Sequence, residues 1–332
     1  MNSKNNKRIL FICLSRSSFV QSDLRLLKKY FDVKEVDFIL NRKDLKGSLK
    51  TVFNLIRGVL WADLTFSWFA DIHAYWAVKL SKLFKKKSIV VVGGYEVANA
   101  PEINYGLIKD SKYKSQVIYT LNNANKVLAV SEFTKNEIMK YNKSQNVDVV
   151  YNGVDYTKFK LSGSSKEDII ITVSSVEEKT YQLKGLDTFI RASNCLPEFK
   201  FVIIGNCDPS FCDKLDVPSN VIFTGALPQE DVMSWFNKSK VYCQLSYRES
   251  FGMALAESMC CECVPVVTDS TALPEIVYDA GFYVKYGDLE STVESIKKAV
   301  RSDIGKNARK RIVDKFPLSN REITLEKEIR NI

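Results

Sequence analysis

The feature that most constrains this chain is an alternation: twelve short apolar runs, bounded by turn residues, take turns with stretches of helical periodicity. Short, near-continuous apolar runs fit strands buried on both faces, and strands alternating with helices imply parallel sheets covered on both sides. In the first half the predicted strands are Arg8–Leu14, Val33–Ile39, Leu64–Phe69, Ser88–Gly93, Lys126–Val130 and Asp148–Tyr151. In the second half they are Asp168–Val173, Lys200–Ile204, Val221–Thr224, Val241–Leu245, Val264–Thr268 and Gly281–Val284. Two such sets predict an α/β chain of two Rossmann-like, doubly wound domains, and 332 residues suit that count. Ligands of open α/β sheets bind beyond the carboxyl ends of the strands, so the two domains are expected to face each other across a cleft. The join is expected within Tyr156–Lys166, where Lys160-Leu161-Ser162-Gly163-Ser164-Ser165-Lys166 is polar and turn-prone. The expected organisation is a first domain over 1–155, a second over 156–315 and a C-terminal helix over 316–332.

Composition narrows the partners. With 45% hydrophobic and 26% charged residues the chain is globular rather than disordered. The net charge of +9 is uneven: residues 1–155 hold 25 Lys/Arg against 14 Asp/Glu, and residues 156–332 hold 23 against 25. A basic first half points to an anionic partner such as a membrane surface, an acidic acceptor or nucleic acid, with an ordinary solvated lysine surface as the alternative. The stretch Arg42–Leu60 sets Leu45, Leu49, Val52, Phe53, Ile56 and Leu60 at helical spacing among Arg42, Lys43, Lys46, Lys50 and Arg57. Such a helix lies in a membrane interface or covers a sheet with a solvated basic side. No apolar run approaches the roughly 20 residues of a membrane span. The polar start Met1–Arg8 does not read as a secretory signal. A cytoplasmic protein, peripheral on the inner membrane face at most, with reduced cysteines is therefore the expectation. Cys260, Cys261 and Cys263 have no histidine near them, and buried thiols are favoured over zinc.

The chemistry concentrates in Tyr247-Arg248-Glu249-Ser250-Phe251-Gly252-Met253-Ala254-Leu255-Ala256-Glu257. The run Val241–Leu245 reads as a strand and Met253–Cys261 as a helix, so Ser250, Phe251 and Gly252 fall at a helix N-terminus. Free N–H groups and the helix dipole favour an anion there. Glu249 and Glu257 flank that turn, roughly two helical turns apart. Amides for a diphosphate beside carboxylates for sugar and ribose hydroxyls are what a nucleotide sugar requires.

At these glutamates the chain resembles the family-4 retaining glycosyltransferases, which have the GT-B fold and an E-x7-E motif. The likeness extends to Val130-Ser131-Glu132-Phe133-Thr134, Tyr151-Asn152-Gly153-Val154-Asp155, Lys184-Gly185-Leu186-Asp187 and Phe201-Val202-Ile203-Ile204-Gly205, in the family's order. The resemblance implies that Glu249 lies beside the donor sugar and Glu257 accepts from the ribose. It implies that the amides of Phe251, Gly252 and Met253, next to Ser250, hold the diphosphate, and that Lys184 neutralises it. Ser175, Gly205 and Leu227, with Asn206, are the further donor-side expectations. On the acceptor side Arg16, Ser17, Gly93, Gly94 and Glu96 are the candidates, with Asp71 as a further carboxylate. His73, the only histidine, is the candidate acceptor-side base, with packing or helix capping as the alternative. The last helix is expected to return towards the first domain, as in GT-B proteins.

The sequence departs from the family pattern at three places. Ser174-Ser175 stands where a Gly-Arg step is usual, leaving Lys184 with Arg248 or Arg16 as substitute cations. Ser15-Arg16-Ser17-Ser18 replaces a Gly-rich loop, so the backbone approaches a ligand less closely. Gly93-Gly94-Tyr95-Glu96 lacks the usual histidine. The expected activity is retaining, metal-independent transfer of a sugar from a nucleoside-diphosphate donor to a glycan or lipid-linked acceptor, with no cofactor. A catalytically eroded nucleotide-sugar-binding or scaffold subunit and a nucleotide-sugar epimerase are the alternatives. Nucleic acid is not expected as a partner, since it would leave the E-x7-E segment unexplained.

Overall fold

The computed structural model describes residues 7–38, 45–163 and 165–332. Ile39 at the end of a predicted strand, Arg42 and Lys43 of the predicted basic helix, and Ser164 of the predicted linker lie outside the described residues. By its internal contacts the chain divides into two units. One comprises the residues up to Asn152 together with Arg321–Ile332, and the other comprises Gly153–Asn320.

In the first unit β1 (Arg8–Cys13), β2 (Asp32–Asp37), β3 (Leu64–Trp68), β4 (Lys87–Val92), β5 (Lys126–Ala129) and β6 (Val147–Val149) form one parallel sheet in the order β2-β1-β3-β4-β5-β6. The helices are α1 (Ser18–Tyr30), α2 (Leu45–Trp61), α3 (Ile72–Leu83), α4 (Ser111–Asn123) and α5 (Glu132–Met139). In the second unit β7 (Glu167–Val173), β8 (Lys200–Ile204), β9 (Val221–Phe223), β10 (Ser239–Gln244), β11 (Val264–Thr268) and β12 (Phe282–Val284) form a parallel sheet in the order β12-β11-β10-β7-β8-β9. Its helices are α6 (Glu178–Leu183), α7 (Leu186–Asn194), α8 (Pro209–Cys212), α9 (Gln229–Lys238), α10 (Met253–Cys260), α11 (Leu273–Val277), α12 (Leu289–Val300) and α13 (Gly305–Lys315). The last helix, α14 (Leu318–Arg330), begins in the second unit and ends in the first.

All twelve predicted strands are present, each within two residues of its predicted ends where these are described. The apolar runs are strands because both faces are covered: β3 is buried throughout, and β4 is buried from Ser88 to Val92. The four strands at the sheet edges are the exceptions: β2 and β9 have no buried residue, and β6 and β12 are buried at one residue each, because an edge strand is covered less completely. Local chemistry sets the helix starts. Asp71 caps α3 by accepting from the Ile72 N–H, and Ser131 caps α5 by accepting from the Thr134 N–H.

Candidate active site

In each sheet the order reverses at one pair of neighbours, and ligands of open α/β sheets bind beyond the carboxyl ends of such a pair. In the second unit that pair is β7 and β10. Ser174 and Ser175 follow β7, Gly205 follows β8, and Tyr247–Gly252 follow β10.

Two glycines bring these loops together. Gly185 has φ 65°, and a Cβ there would lie 2.0 Å from the Leu245 carbonyl oxygen, so only glycine lets the turn between α6 and α7 sit on the end of β10. The Tyr247 N–H donates to the Leu183 carbonyl at 2.8 Å and fixes the same junction. Gly205 has φ 150°, and a Cβ there would lie 2.2 Å from the Ser174 carbonyl oxygen, which sets the loops after β7 and β8 side by side. The Gly205 N–H also donates to the Gly225 carbonyl. Leu227, half-buried, stands two residues beyond Gly225 on the loop after β9.

From the α6–α7 turn the Lys184 ammonium donates to Glu249 Oε2 at 2.7 Å, across 65 residues of sequence. The two side chains are 26% and 16% exposed, so the pair is partly desolvated and stronger than a surface ion pair. Gln244 Nε2 bonds Ser246 Oγ at 2.7 Å and reaches Glu249 Oε2 at 3.4 Å, while the Tyr242 hydroxyl donates to Gln244 Oε1. The Glu249 backbone is held as well: its N–H donates to Thr271 Oγ1, and its carbonyl accepts from the Ala272 N–H. Gln244 and Thr271 were missed by the sequence reading. A polar residue at the end of the apolar run Val241–Leu245 was the available signal for Gln244.

Beyond Glu249, the Phe251 ring packs edge-on against Phe316 with centroids 5.6 Å apart. The Phe251 side chain belongs to the core, which leaves its amide for a ligand. Gly252 caps α10 with φ 87° and brings no side-chain oxygen to the first-turn N–H groups, which keeps them available to an anion. Glu257 lies on α10 in a largely desolvated setting. Burial pushes its carboxyl up to about 7, with Lys158 pulling the other way.

That shift has a sign. An unfolded glutamate ionises near 4.5, so between that pH and about 7 the folded chain holds a proton the unfolded chain has released, and stability falls as pH rises. The whole window corresponds to about 3 kcal/mol. Glu257→Gln is therefore expected to match the wild type in urea unfolding at pH 4 and to exceed it by about 3 kcal/mol at pH 8. Identical pH dependence in the two proteins would refute this.

In the first unit the order reverses at β1 and β3, and the loops after these strands carry Arg16, Ser17 and Asp71. Arg16 is not an uncommitted cation: its guanidinium donates to Asp37 at 3.1 and 2.8 Å and to Glu35 at 2.9 Å. Ser17 stands at the N-cap of α1, its hydroxyl buried and without a partner among the described residues. Glu96 is corrected from an approachable carboxylate to a buried brace. It is 1% exposed, and its oxygens accept from the N–H groups of Ala70, Gly93 and Gly94 at 3.0, 3.1 and 2.8 Å. Glu96 thereby ties the loops after β3 and β4 together. Burial raises its pKa against the pull of those N–H groups.

His73 is corrected from a loop residue to a core residue in the first turn of α3. Its Nε2 lies 2.6 Å from the Trp68 carbonyl, and burial lowers its pKa to about 4. A neutral imidazole donating from Nε2 fits that contact. The expectation that all cysteines are reduced is also corrected, since Cys207 and Cys212 form a disulfide after β8. Cys260, Cys261 and Cys263 are buried thiols, and no group of three His/Cys/Asp/Glu among the described residues is placed to hold a metal ion.

Comparison with known proteins places this geometry. Anabaena HepE, solved in complex with UDP, superposes with a TM-score of 0.81 at 15% identity, covering 98% of this chain and all of that one. The fold is thus that of the GT-B glycosyltransferases, with two Rossmann-like domains. Residues 155–315 match "Glycosyl transferases group 1" and residues 21–158 match "Glycosyltransferase Family 4". The chain belongs to this family-4 type of glycosyltransferase. The capsular polysaccharide biosynthesis glycosyltransferase CapM of Staphylococcus aureus is 26% identical over 58% of this chain and 58% of its own length. The N-acetyl-alpha-D-glucosaminyl L-malate synthase of Bacillus anthracis is 24% identical over 62% and 60%. The chain thus spans about three fifths of the length of these curated relatives.

Proposed function

We propose that the chain transfers a sugar, with retention of configuration, from a nucleoside-diphosphate donor held by the second unit to a glycan or lipid-linked acceptor. The observation that carries this reading is the Lys184–Glu249 pair at the β7/β10 switch point, beside the glycine-capped start of α10. In the proposal the α10 amides and Lys184 receive the diphosphate, so the cation is a side chain rather than a metal ion. Glu249, released from Lys184, accepts from sugar hydroxyls and sets negative charge beside the oxocarbenium-like centre. The bond from the anomeric carbon to the leaving phosphate oxygen breaks as the acceptor oxygen bonds on the same face. The acceptor proton passes to that phosphate oxygen, so no enzyme nucleophile is needed. The core position of His73 accords with such a route, which asks for no imidazole base. Glu257 accepts from the ribose hydroxyls in its ionised form. Because it is protonated in part near pH 7, nucleotide binding then releases a proton.

The test pairs donor binding with product analysis. Calorimetry against UDP, GDP and ADP in two buffers of different ionisation heat is expected to show uptake of one nucleotide with proton release near pH 6.5. Glu257→Gln is expected to bind that nucleotide at least tenfold more weakly and without proton release, since a charge-assisted bond is worth about 1.5–3 kcal/mol. Transfer products from the matching sugar should keep the donor's anomeric configuration by NMR. Inverted products would refute the stereochemistry, and tight binding without turnover across acceptors would favour the eroded subunit.

A further inference from the structure

Helix α2 has two apolar faces, and the fold uses one of them. Leu55 and Val59 pack with Leu10, Ile12 and Ala77 in a buried cluster, and Gly58 sits against the Leu10 side chain. At about 100° per residue, Leu49, Val52, Phe53, Ile56 and Leu60 fall on a second stripe, roughly a third of a turn away. Leu49 is 70% and Phe53 58% exposed, and Val52 and Leu60 are exposed as well. Along the far side of this stripe runs a third, made of the exposed Lys46, Lys50 and Arg57. The Arg57 guanidinium lies 5.5 Å from the centre of the Phe53 ring.

The patch continues onto α3. Leu80 and Phe84 pack against the same cluster as Leu55 and Val59, and Trp76 and Leu83, one turn to either side of Leu80, are exposed. Lys79 lies over the Trp76 ring, and Lys82, Lys85, Lys86 and Lys87 follow. Neither helix contains an acidic residue.

We propose that this face of α2 and α3 docks the protein on an anionic lipid bilayer, with the apolar stripe in the acyl boundary and the cations among the headgroups. A soluble monomer rarely leaves so many large apolar side chains in one stripe. The layered order of core face, apolar stripe and basic stripe is that of a helix lying in a membrane interface. On these two helices the charge is of one sign, which selects negative lipid, and the excess of base over acid in residues 1–155 adds to the attraction. Among the described residues no helix is long and apolar enough to cross a membrane, so the contact is one of lying on the surface. The proposal stands apart from the transfer reading, because none of these residues is assigned to the donor or its chemistry.

Co-sedimentation of the full chain with vesicles tests it. Binding is expected to phosphatidylcholine vesicles containing phosphatidylglycerol, weakly or not at all to phosphatidylcholine alone, and to fall as salt is raised. Lys46→Glu/Lys50→Glu/Arg57→Glu is expected to weaken it at least a hundredfold, since each basic residue contributes about fivefold near such a surface. Leu49→Ser/Phe53→Ser is expected to weaken it at least tenfold while leaving circular dichroism and soluble-nucleotide binding unchanged. Wild-type protein that ignores both vesicle types, or either variant binding like the wild type, would overturn the proposal. So would a concentration-dependent dimer dissolved by the Leu49/Phe53 variant, which would assign the face to a second copy of the chain.

Discussion

Lys184→Ala is expected to lower the turnover number by about 10²–10³, the effect of removing one preorganised charge-stabilising donor. Two consequences of the loss make the test specific. In the unliganded protein Lys184 balances Glu249, so its removal leaves a carboxylate in a partly desolvated place, where Gln244 Nε2 still reaches it at 3.4 Å. In the proposed donor complex the diphosphate would lose the cation assigned to it. Glu249→Ala should show a comparable loss in turnover, with a smaller change in nucleotide affinity than Lys184→Ala. The two residues touch, so the double variant should fall well short of the product of the single effects. Single-turnover assays on the four proteins measure this. Full multiplicativity, or wild-type turnover in Lys184→Ala, would remove the pair from the chemistry. Lys184→Arg keeps the charge but not the compact ammonium, and recovery in that variant would show that charge rather than shape is required.

What could be read in the sequence divides along physical lines. The twelve strands were legible because burial on both faces writes itself as continuous apolar runs, and Lys200–Ile204 and Val264–Thr268 were placed to the residue. The turn from β10 into α10 was legible because a strand ends and a helix begins within a few residues, with Gly252 at the junction. The partnership of Lys184 with Glu249 was not. It depends on Gly185 resting against Leu245, a contact set by sheet order rather than by any local pattern. Glu96 was misread for a related reason. A carboxylate near two glycines signals a loop that needs hydrogen bonds as readily as a ligand site, and only the fold shows that Ala70, Gly93 and Gly94 consume its oxygens. His73 follows a capping Asp71, so its place in a helix had a local signal, but its burial under neighbouring elements did not. Cys207 precedes α8 and Cys212 ends it, five residues on, a spacing that permits a disulfide without requiring one.

The most destabilising single change is expected at a cluster with no trace in local sequence. Arg321 on α14 donates to Asp23 on α1 through Nε at 2.6 Å and Nη2 at 2.7 Å, and its Nη1 donates to the carbonyls of Val150 and Tyr151 at 2.8 and 2.9 Å. The Trp68 indole N–H donates to the same aspartate at 2.8 Å, and the guanidinium lies 5.3 Å from the centre of that ring. Both charges are buried, Asp23 completely. Asp23→Ala strands a guanidinium in the core together with an unsatisfied indole N–H, and breaking such a pair costs about 3–5 kcal/mol. Leu325 and Ile329 continue the packing of α14 in the same core, so the loss should also loosen the C-terminal helix from the first unit. Urea unfolding followed by tryptophan fluorescence measures the first effect, and limited proteolysis of α14 the second. A buried ion pair is not itself a large source of stability, because desolvation offsets most of its attraction. The double variant Asp23→Leu/Arg321→Met should therefore recover most of what Asp23→Ala loses. A double variant no better than Asp23→Ala would mean that the Arg321 bonds to Val150 and Tyr151, next to where the chain passes from one unit to the other, carry the stability instead.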